Sequence, residues 1–237
     1  MRIAIIGYGR MGKEIHKTAL KRGHEVKLVI DRDNMDDLNS KSLEDIEVAI
    51  EFSQPDSAVS NILKCLEEGI PVVSGTTGWQ DRFGEISDAV SKLDGTFLYA
   101  SNFSIGVNIL FSINKQLSAI MKRFDGYTPS IREVHHVKKL DAPSGTAISL
   151  AGDISRFTSW DGWMAGTGPS GTKIRIDSIR EGDITGIHEI EWVSETDMIS
   201  LRHEAFSRSG FAVGAVFAAE FASKRKGLLT MGDLLGI

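Results

Sequence analysis

Short apolar runs alternate with helical periodicity through the N-terminal part of the chain. Residues 2–6, 26–30, 48–52, 71–74 and 96–99 are compact runs rich in Ile, Val, Ala, Leu and Phe. Runs this short and continuous predict strands buried on both faces. Between them, residues 11–22, 58–66 and 80–91 carry apolar positions at helical spacing. In the first of these, Met11, Ile15 and Ala19 share one face and Gly23 supplies a stop. Alternating strands and helices imply a parallel sheet covered on both sides.

The pattern changes after Ser101-Asn102-Phe103-Ser104. A long helical stretch, 105–124, is followed by a strand at 130–136 and a helix at 146–157. Residues 160–171 are rich in Gly and Trp and read as a loop. Strand-like runs at 173–180, 187–193 and 198–205 follow without helices between them, which implies a mixed sheet in a second domain. Residues 211–221 form an apolar helix, and the tail closes with Leu228, Leu229, Leu234 and Leu235. The fold class is therefore α/β: a Rossmann-type parallel-sheet domain plus a smaller α+β substrate domain with a mixed sheet. The expected divisions are 1–104, 105–208 and a C-terminal helix, 209–237, returning to the first domain.

Composition narrows the function. The chain of 237 residues carries a net charge of -5, which argues against nucleic acid as a partner. A single cysteine, Cys65, excludes an internal disulfide and fits a reducing compartment, so a cytoplasmic protein is expected. No apolar run approaches the roughly 20 residues that span a bilayer, and Met1 leads directly into a strand-like run rather than a signal peptide.

Gly7-Tyr8-Gly9-Arg10-Met11-Gly12 is a GxGxxG between a strand and a helix, the context a dinucleotide site requires. The first glycine permits a tight turn, the second admits the pyrophosphate and the third lets helix and strand pack closely. Asp31 ends the second strand at close to the ~20-residue spacing of a ribose ligand. It favours NADH, whereas the adjacent Arg32 favours the 2′-phosphate of NADPH; together they suggest use of both. Gly75-Thr76-Thr77-Gly78 follows the fourth strand, at the sheet edge where ligands bind.

The segment from Glu133 to Thr146, EVHHVKKLDAPSGT, runs from a strand through a loop into a helix. Ser144 is an N-cap candidate, and the free N–H groups of Gly145 and Thr146 would receive a carboxylate. Lys139 adds positive charge. His135 and His136 point to opposite faces if the strand persists, so one is a proton donor and the other a substrate ligand. The flanking residues offer no convergent set for zinc, and no metal is expected.

These motifs, with the Ala100-Ser101-Asn102-Phe103-Ser104 turn, resemble the 4-hydroxy-tetrahydrodipicolinate (dihydrodipicolinate) reductase family of lysine and diaminopimelate biosynthesis. The resemblance covers essentially the whole chain. It implies a reduction by NADH or NADPH of a small dicarboxylate, with His135 as general acid assisted by Lys139. It further implies that His136, Ser144, Gly145 and Thr146 bind substrate. The pyrophosphate loop would be Gly7 to Gly12, including Tyr8, Gly9, Arg10 and Met11. Asp31 and Arg32 would meet the adenosine ribose, and Gly75, Thr76, Thr77, Ala100, Ser101, Asn102 and Phe103 the nicotinamide side. A homotetramer built through the second domain's sheet, with neither nucleic acid nor membrane as partner, is also implied. The chain departs from the family in a glycine loop one residue shorter and in Asp31, where glutamate is frequent.

Overall fold

The computed structural model describes every residue except Thr167, Pro169 and Ser170. The chain divides into two compact units, Met1–Ile105 with Ser209–Ile237, and Gly106–Arg208.

The first unit is built on six parallel strands: β1 (Arg2–Ile6), β2 (Glu25–Ile30), β3 (Val48–Glu51), β4 (Val72–Ser74), β5 (Thr96–Tyr99) and β11 (Gly227–Leu229). Their order is β11-β5-β4-β3-β1-β2. The chain winds from β1 outward to β2 and then crosses to the other side at β3. The carboxyl ends of β1 and β3 therefore flank the crevice where this class of sheet binds ligands. All four residues of β3 are buried, which explains why these strands read as continuous apolar runs.

Helices α1 (Arg10–Lys21), α3 (Pro55–Glu67), α4 (Phe83–Lys92) and α7 (Ser209–Ala222) cover the sheet, and α2 (Ser40–Leu43) and α8 (Met231–Leu235) are short. Helix α1 buries Gly12, Ile15, Thr18 and Ala19 on one face and ends where Gly23 adopts φ 79°. Pro55 opens α3, where its missing N–H costs nothing. Helix α7 is apolar nearly all round and buries Ala212, Gly214, Ala215, Val216, Ala218, Ala219 and Ala222. Its small residues allow close approach: a Cβ on Gly214 would lie 1.7 Å from the carbonyl oxygen of Phe103. The tail does more than the expected helix, because Leu228 and Leu229 pair with Phe97 and Leu98 as the sixth strand.

The second unit holds a five-stranded sheet, order β10-β9-β6-β8-β7, from β6 (Thr128–His135), β7 (Trp163–Ala165), β8 (Ile174–Arg180), β9 (Gly186–Val193) and β10 (Met198–Ala205). It is mixed: β6 pairs parallel with β8 and antiparallel with β9. Helices α5 (Ile105–Met121) and α6 (Gly145–Phe157) supply Leu110, Met121, Ala147, Leu150, Ala151 and Ile154 to a core shared with Ile131, Ile176, Ile190 and Trp192 of the sheet. The segment read as a loop at 160–171 contains strand β7, parallel to β8. Three residues are too few to display a period, which hid it in the sequence. The remainder of that segment includes Thr167, Pro169 and Ser170, which lie outside the described residues. No helix among the described residues is long and apolar enough to cross a membrane.

Candidate active site

The glycine loop has the stereochemistry its motif demands. Gly7 sits at φ 92°, and a Cβ there would lie 2.1 Å from the Phe52 carbonyl oxygen. A Cβ on Gly12 would lie 2.1 Å from the carbonyl oxygen of Gly7, whereas one on Gly9 would meet nothing within 4 Å. The first and third glycines are thus fixed by packing and the second faces open space, as pyrophosphate approach requires. Gly9 is the N-cap of α1 and provides no side-chain cap, so the first N–H groups of the helix are available to an anion. These features fit a dinucleotide phosphate. Arg10 is exposed beside them, and Met11 is half-buried. Tyr8 is held by its hydroxyl, 2.8 Å from His16 Nδ1, with Lys13 Nζ 5.9 Å from its ring centre.

Asp31 follows β2, and one of its carboxylate oxygens accepts from the Arg32 N–H at 2.9 Å. Both side chains are exposed. Among the described residues neither the Arg10 nor the Arg32 guanidinium has an ion pair, so both remain available to phosphate.

Phe52, which the sequence places at the end of the third strand, lies just beyond β3 and links the two glycine turns of this unit. Its carbonyl abuts Gly7, and its ring would lie 2.3 Å from a Cβ on Gly75. The Phe52 and Phe103 rings pack at 5.5 Å, and Phe103 is 2% exposed. Below them lies Glu51, 0% exposed. Its carboxylate accepts from the Ser53 N–H at 2.9 Å, the Ser53 hydroxyl at 2.5 Å, the Ser74 hydroxyl at 2.5 Å and the Thr76 hydroxyl at 2.9 Å. Thr76 is therefore turned inward, while Thr77 is exposed. Ala100 and Asn102 are half-buried and Ser101 exposed, with Asn102 Oδ1 accepting from the Ser104 N–H at 2.8 Å.

In the second unit, β6 delivers Glu133 and His135 to its carboxyl end, and the strand stops there. His136 begins the loop, so the alternation expected of the two histidines is cut short. Lys139 Nζ lies 2.8 Å from Asp141 Oδ1. His136 Nε2 lies 3.4 Å from a guanidinium nitrogen of Arg208, a second cation that its distance in sequence concealed. Ser144 caps α6, its hydroxyl accepting from the Ala147 N–H at 3.3 Å. Gly145 is exposed and Thr146 half-buried at the open helix start.

Three further side chains converge on His135. Glu133 is 0% exposed. Its Oε1 accepts from the Ser144 N–H at 3.0 Å and from Arg180 at 3.2 Å. Its Oε2 lies 3.6 Å from His135 Nδ1 and 3.8 Å from His188 Nε2. The two imidazoles meet edge to face at 5.0 Å. Burial is the main influence holding His135 below its ordinary pKa; Glu133 and Asp141 pull upward, Lys139 and Arg180 downward. Burial also holds His188 down, to about 4. Burial works to raise Glu133, but the polar groups of Ser144 and Ser178 beside it, with the Ser144 N–H, outweigh it and leave that carboxyl below its usual range.

The expectation of no convergent metal set considered only residues flanking the motif. His188, from β9, joins Glu133 and His135 so that one ligand-type atom of each lies within 4.8 Å of the others. The Arg180 guanidinium already supplies positive charge to the same carboxylate, and the cluster reads as a hydrogen-bond network around an imidazole.

Residues 1–103 match the family model "Dihydrodipicolinate reductase, N-terminus", and residues 106–235 match "Dihydrodipicolinate reductase, C-terminus". The chain belongs to the dihydrodipicolinate reductase family. The 4-hydroxy-tetrahydrodipicolinate reductase of Christiangramia forsetii is 43% identical over 99% of this chain and 98% of its own length. That of Lawsonia intracellularis is 34% identical over 98% of each. The dipicolinate-bound dihydrodipicolinate reductase from Paenisporosarcina sp. TG-14 superposes with a TM-score of 0.79 at 23% identity, over 97% of both chains. Membership in this reductase family, on a Rossmann-like sheet, makes the chain an oxidoreductase that uses a nicotinamide cofactor.

Proposed function

We propose that the chain reduces 4-hydroxy-tetrahydrodipicolinate to tetrahydrodipicolinate with NADH or NADPH, in lysine and diaminopimelate biosynthesis. The observation that carries this reading is the convergence of a buried imidazole, a lysine and an open helix start at the end of β6. A cyclic imine dicarboxylate needs those three things: a proton donor, a mobile cation and N–H groups for carboxylate.

The bound cofactor supplies hydride. The N–H groups at the start of α1 and the Arg10 guanidinium hold its pyrophosphate. Asp31 accepts from the ribose hydroxyls of NADH, Arg32 pairs with the 2′-phosphate of NADPH, and the two side chains accommodate either form. Thr77 and the turn from Ala100 to Phe103 line the nicotinamide side, and Phe52 and Glu51 hold those turns in register.

On the second unit, Gly145 and Thr146 donate N–H groups to one substrate carboxylate. Lys139 exchanges Asp141 for a substrate carboxylate, and His136 with Arg208 adds a second polar contact. Loss of the substrate's hydroxyl as water leaves a conjugated ring imine, and His135 delivers a proton as hydride adds, so that one C=X bond is saturated per cofactor oxidised. His135 must be protonated to act. A bound dicarboxylate adds negative charge beside it and raises its proton affinity, opposing the effect of burial. The exposed polar face of the second sheet, with Arg132 3.7 Å from Glu189, is the surface through which a homotetramer would form. Cys65 is the single cysteine and forms no disulfide, which fits the reducing conditions of a cytoplasm.

The test is a coupled assay. Pyruvate and aspartate semialdehyde are condensed in place by the upstream synthase, and loss of NADH and NADPH absorbance is followed in separate runs. Synthase-dependent oxidation is the expected result. Cofactor binding without oxidation would instead make the chain a nucleotide sensor or a dehydrogenase of another substrate.

A further inference from the structure

Two buried polar atoms in the second unit face each other, and of the imidazole nitrogens near Glu133 Oε2, His135 Nδ1 is nearer than His188 Nε2, at 3.8 Å. Glu133 Oε2 and His135 Nδ1 are both shielded from solvent and neither makes a hydrogen bond among the described residues, yet they lie 3.6 Å apart. Leaving both orphaned is costly. Catalytic hydrogen bonds are commonly long before ligand binds, and a proton on Nδ1 would give each atom its partner. The other carboxylate oxygen is engaged on the Ser144 N–H, one residue before the Gly145 and Thr146 helix start. The ring's other nitrogen, Nε2, lies against Gly186, where a Cβ would approach to 3.2 Å. Glycine thus keeps that nitrogen uncovered by a neighbouring side chain.

We propose that Glu133 is a positioning residue for the reduction: one oxygen anchors the carboxylate-binding helix start, and the other accepts from His135 Nδ1–H. This fixes the ring and leaves Nε2 as the nitrogen that delivers the proton. The inference rests on His135 being the proton donor. It explains why a glutamate occupies a buried strand end, and why Arg180 is present. Arg180 donates to Glu133 Oε1 and to the Asp141 carbonyl oxygen, tying the strand end to the loop that carries Lys139. The charged and titratable groups facing His135 are Glu133 on its own strand, Lys139 and Asp141 from the loop, Arg180 on β8 and His188 on β9, with His203 of β10 facing His188. Glu133 is the nearest anion, so its neutralisation must lower the proton affinity of His135. A general acid acts only while protonated, so the alkaline fall of kcat must move to lower pH.

The experiment compares kcat–pH profiles of the holoenzyme with those of Glu133→Gln, Glu133→Asp and His135→Gln. In Glu133→Gln the alkaline limb is expected to move down by roughly one pH unit, with kcat lowered more than KM is raised, and Glu133→Asp is expected to return the limb toward wild type. A limb unmoved in folded Glu133→Gln, with His135→Gln inactive, overturns the inference alone. Full turnover in His135→Gln overturns the reading beneath it. If Glu133→Gln does not fold, nitrogen-15 spectra of the histidine rings in the unaltered protein decide the matter. Neutral His135 is expected to carry its proton on Nδ1, and a neutral ring protonated on Nε2 contradicts the proposal.

Discussion

Each unit buries one glutamate completely at a strand end, and the two are treated differently. Glu51 closes β3 with three hydroxyls and one N–H directed at it, and no cation among them. Glu133, near the end of β6, is shared among an arginine, a helix start and two imidazoles, and keeps one oxygen unpaired. A saturated carboxylate surrounded by neutral donors has nothing to exchange; it fixes turns. One left partly unsatisfied beside titratable rings responds when a proton or a ligand arrives. On the proposed reading, Glu51 belongs to the scaffold of the glycine turns and Glu133 to the chemistry.

The largest effect expected from this contrast is on stability. Glu51→Ala removes the acceptor shared by the hydroxyls of Ser53, Ser74 and Thr76, although the Ser53 N–H keeps Thr76 Oγ1, and should cost about 3–5 kcal/mol in urea denaturation. In protein that remains folded, the pH limb of kcat should not move; movement would erase the distinction between the two glutamates.

Acid should weaken the second unit next. The pKa of His188 is held down to about 4 in the folded chain, chiefly by burial, against about 6.5 for a free imidazole. The unfolded chain therefore binds that proton more readily. This contribution is fully present above about pH 6.5 and is lost as pH falls through about 4, amounting to roughly 3 kcal/mol at most. Scanning calorimetry across that range measures it, and His188→Gln should flatten the dependence.

On activity, His135→Gln should lower kcat by roughly 10²-fold or more, with a smaller change in KM. Lys139→Ala should instead raise substrate KM about 10-fold or more, with kcat less affected, if the lysine makes the proposed ground-state contact with a substrate carboxylate. Smallest, if Arg32 pairs with the 2′-phosphate as proposed, Arg32→Ala should raise KM for NADPH by roughly 5- to 10-fold and leave NADH unchanged; steady-state kinetics with each cofactor separates them.

The cofactor half was the more legible in sequence. Its signal is local: Gly7, Gly9 and Gly12 stand in one turn, and their backbone needs are written in residue type. The parallel strands are likewise contiguous apolar runs. What escaped there was a strand of three residues, Gly227–Leu229, whose existence depends on β5 beside it, and Phe52, which looks like ordinary core. On the substrate side, the motif from Glu133 to Thr146 named His135, Lys139 and the helix start. The partners that tune His135 come from elsewhere: Arg180 on β8, His188 on β9 and, beside His136, Arg208. Only strand pairing brings Glu133 opposite both Ser178 and His188, and no spacing rule reveals such a meeting. Glu133 itself opened the motif, but nothing in its residue type announced that it is buried.

The most direct test of the account is proton uptake on ligand binding. Titrating dipicolinate into the protein by calorimetry at neutral pH, in buffers of different ionisation enthalpy, counts protons exchanged. Binding should take up protons in the unaltered protein, because the dicarboxylate opposes the burial that lowers the proton affinity of His135, and this uptake should vanish in His135→Gln. Binding without proton exchange, or the same uptake in His135→Gln, would contradict His135 as the group that the site exists to charge.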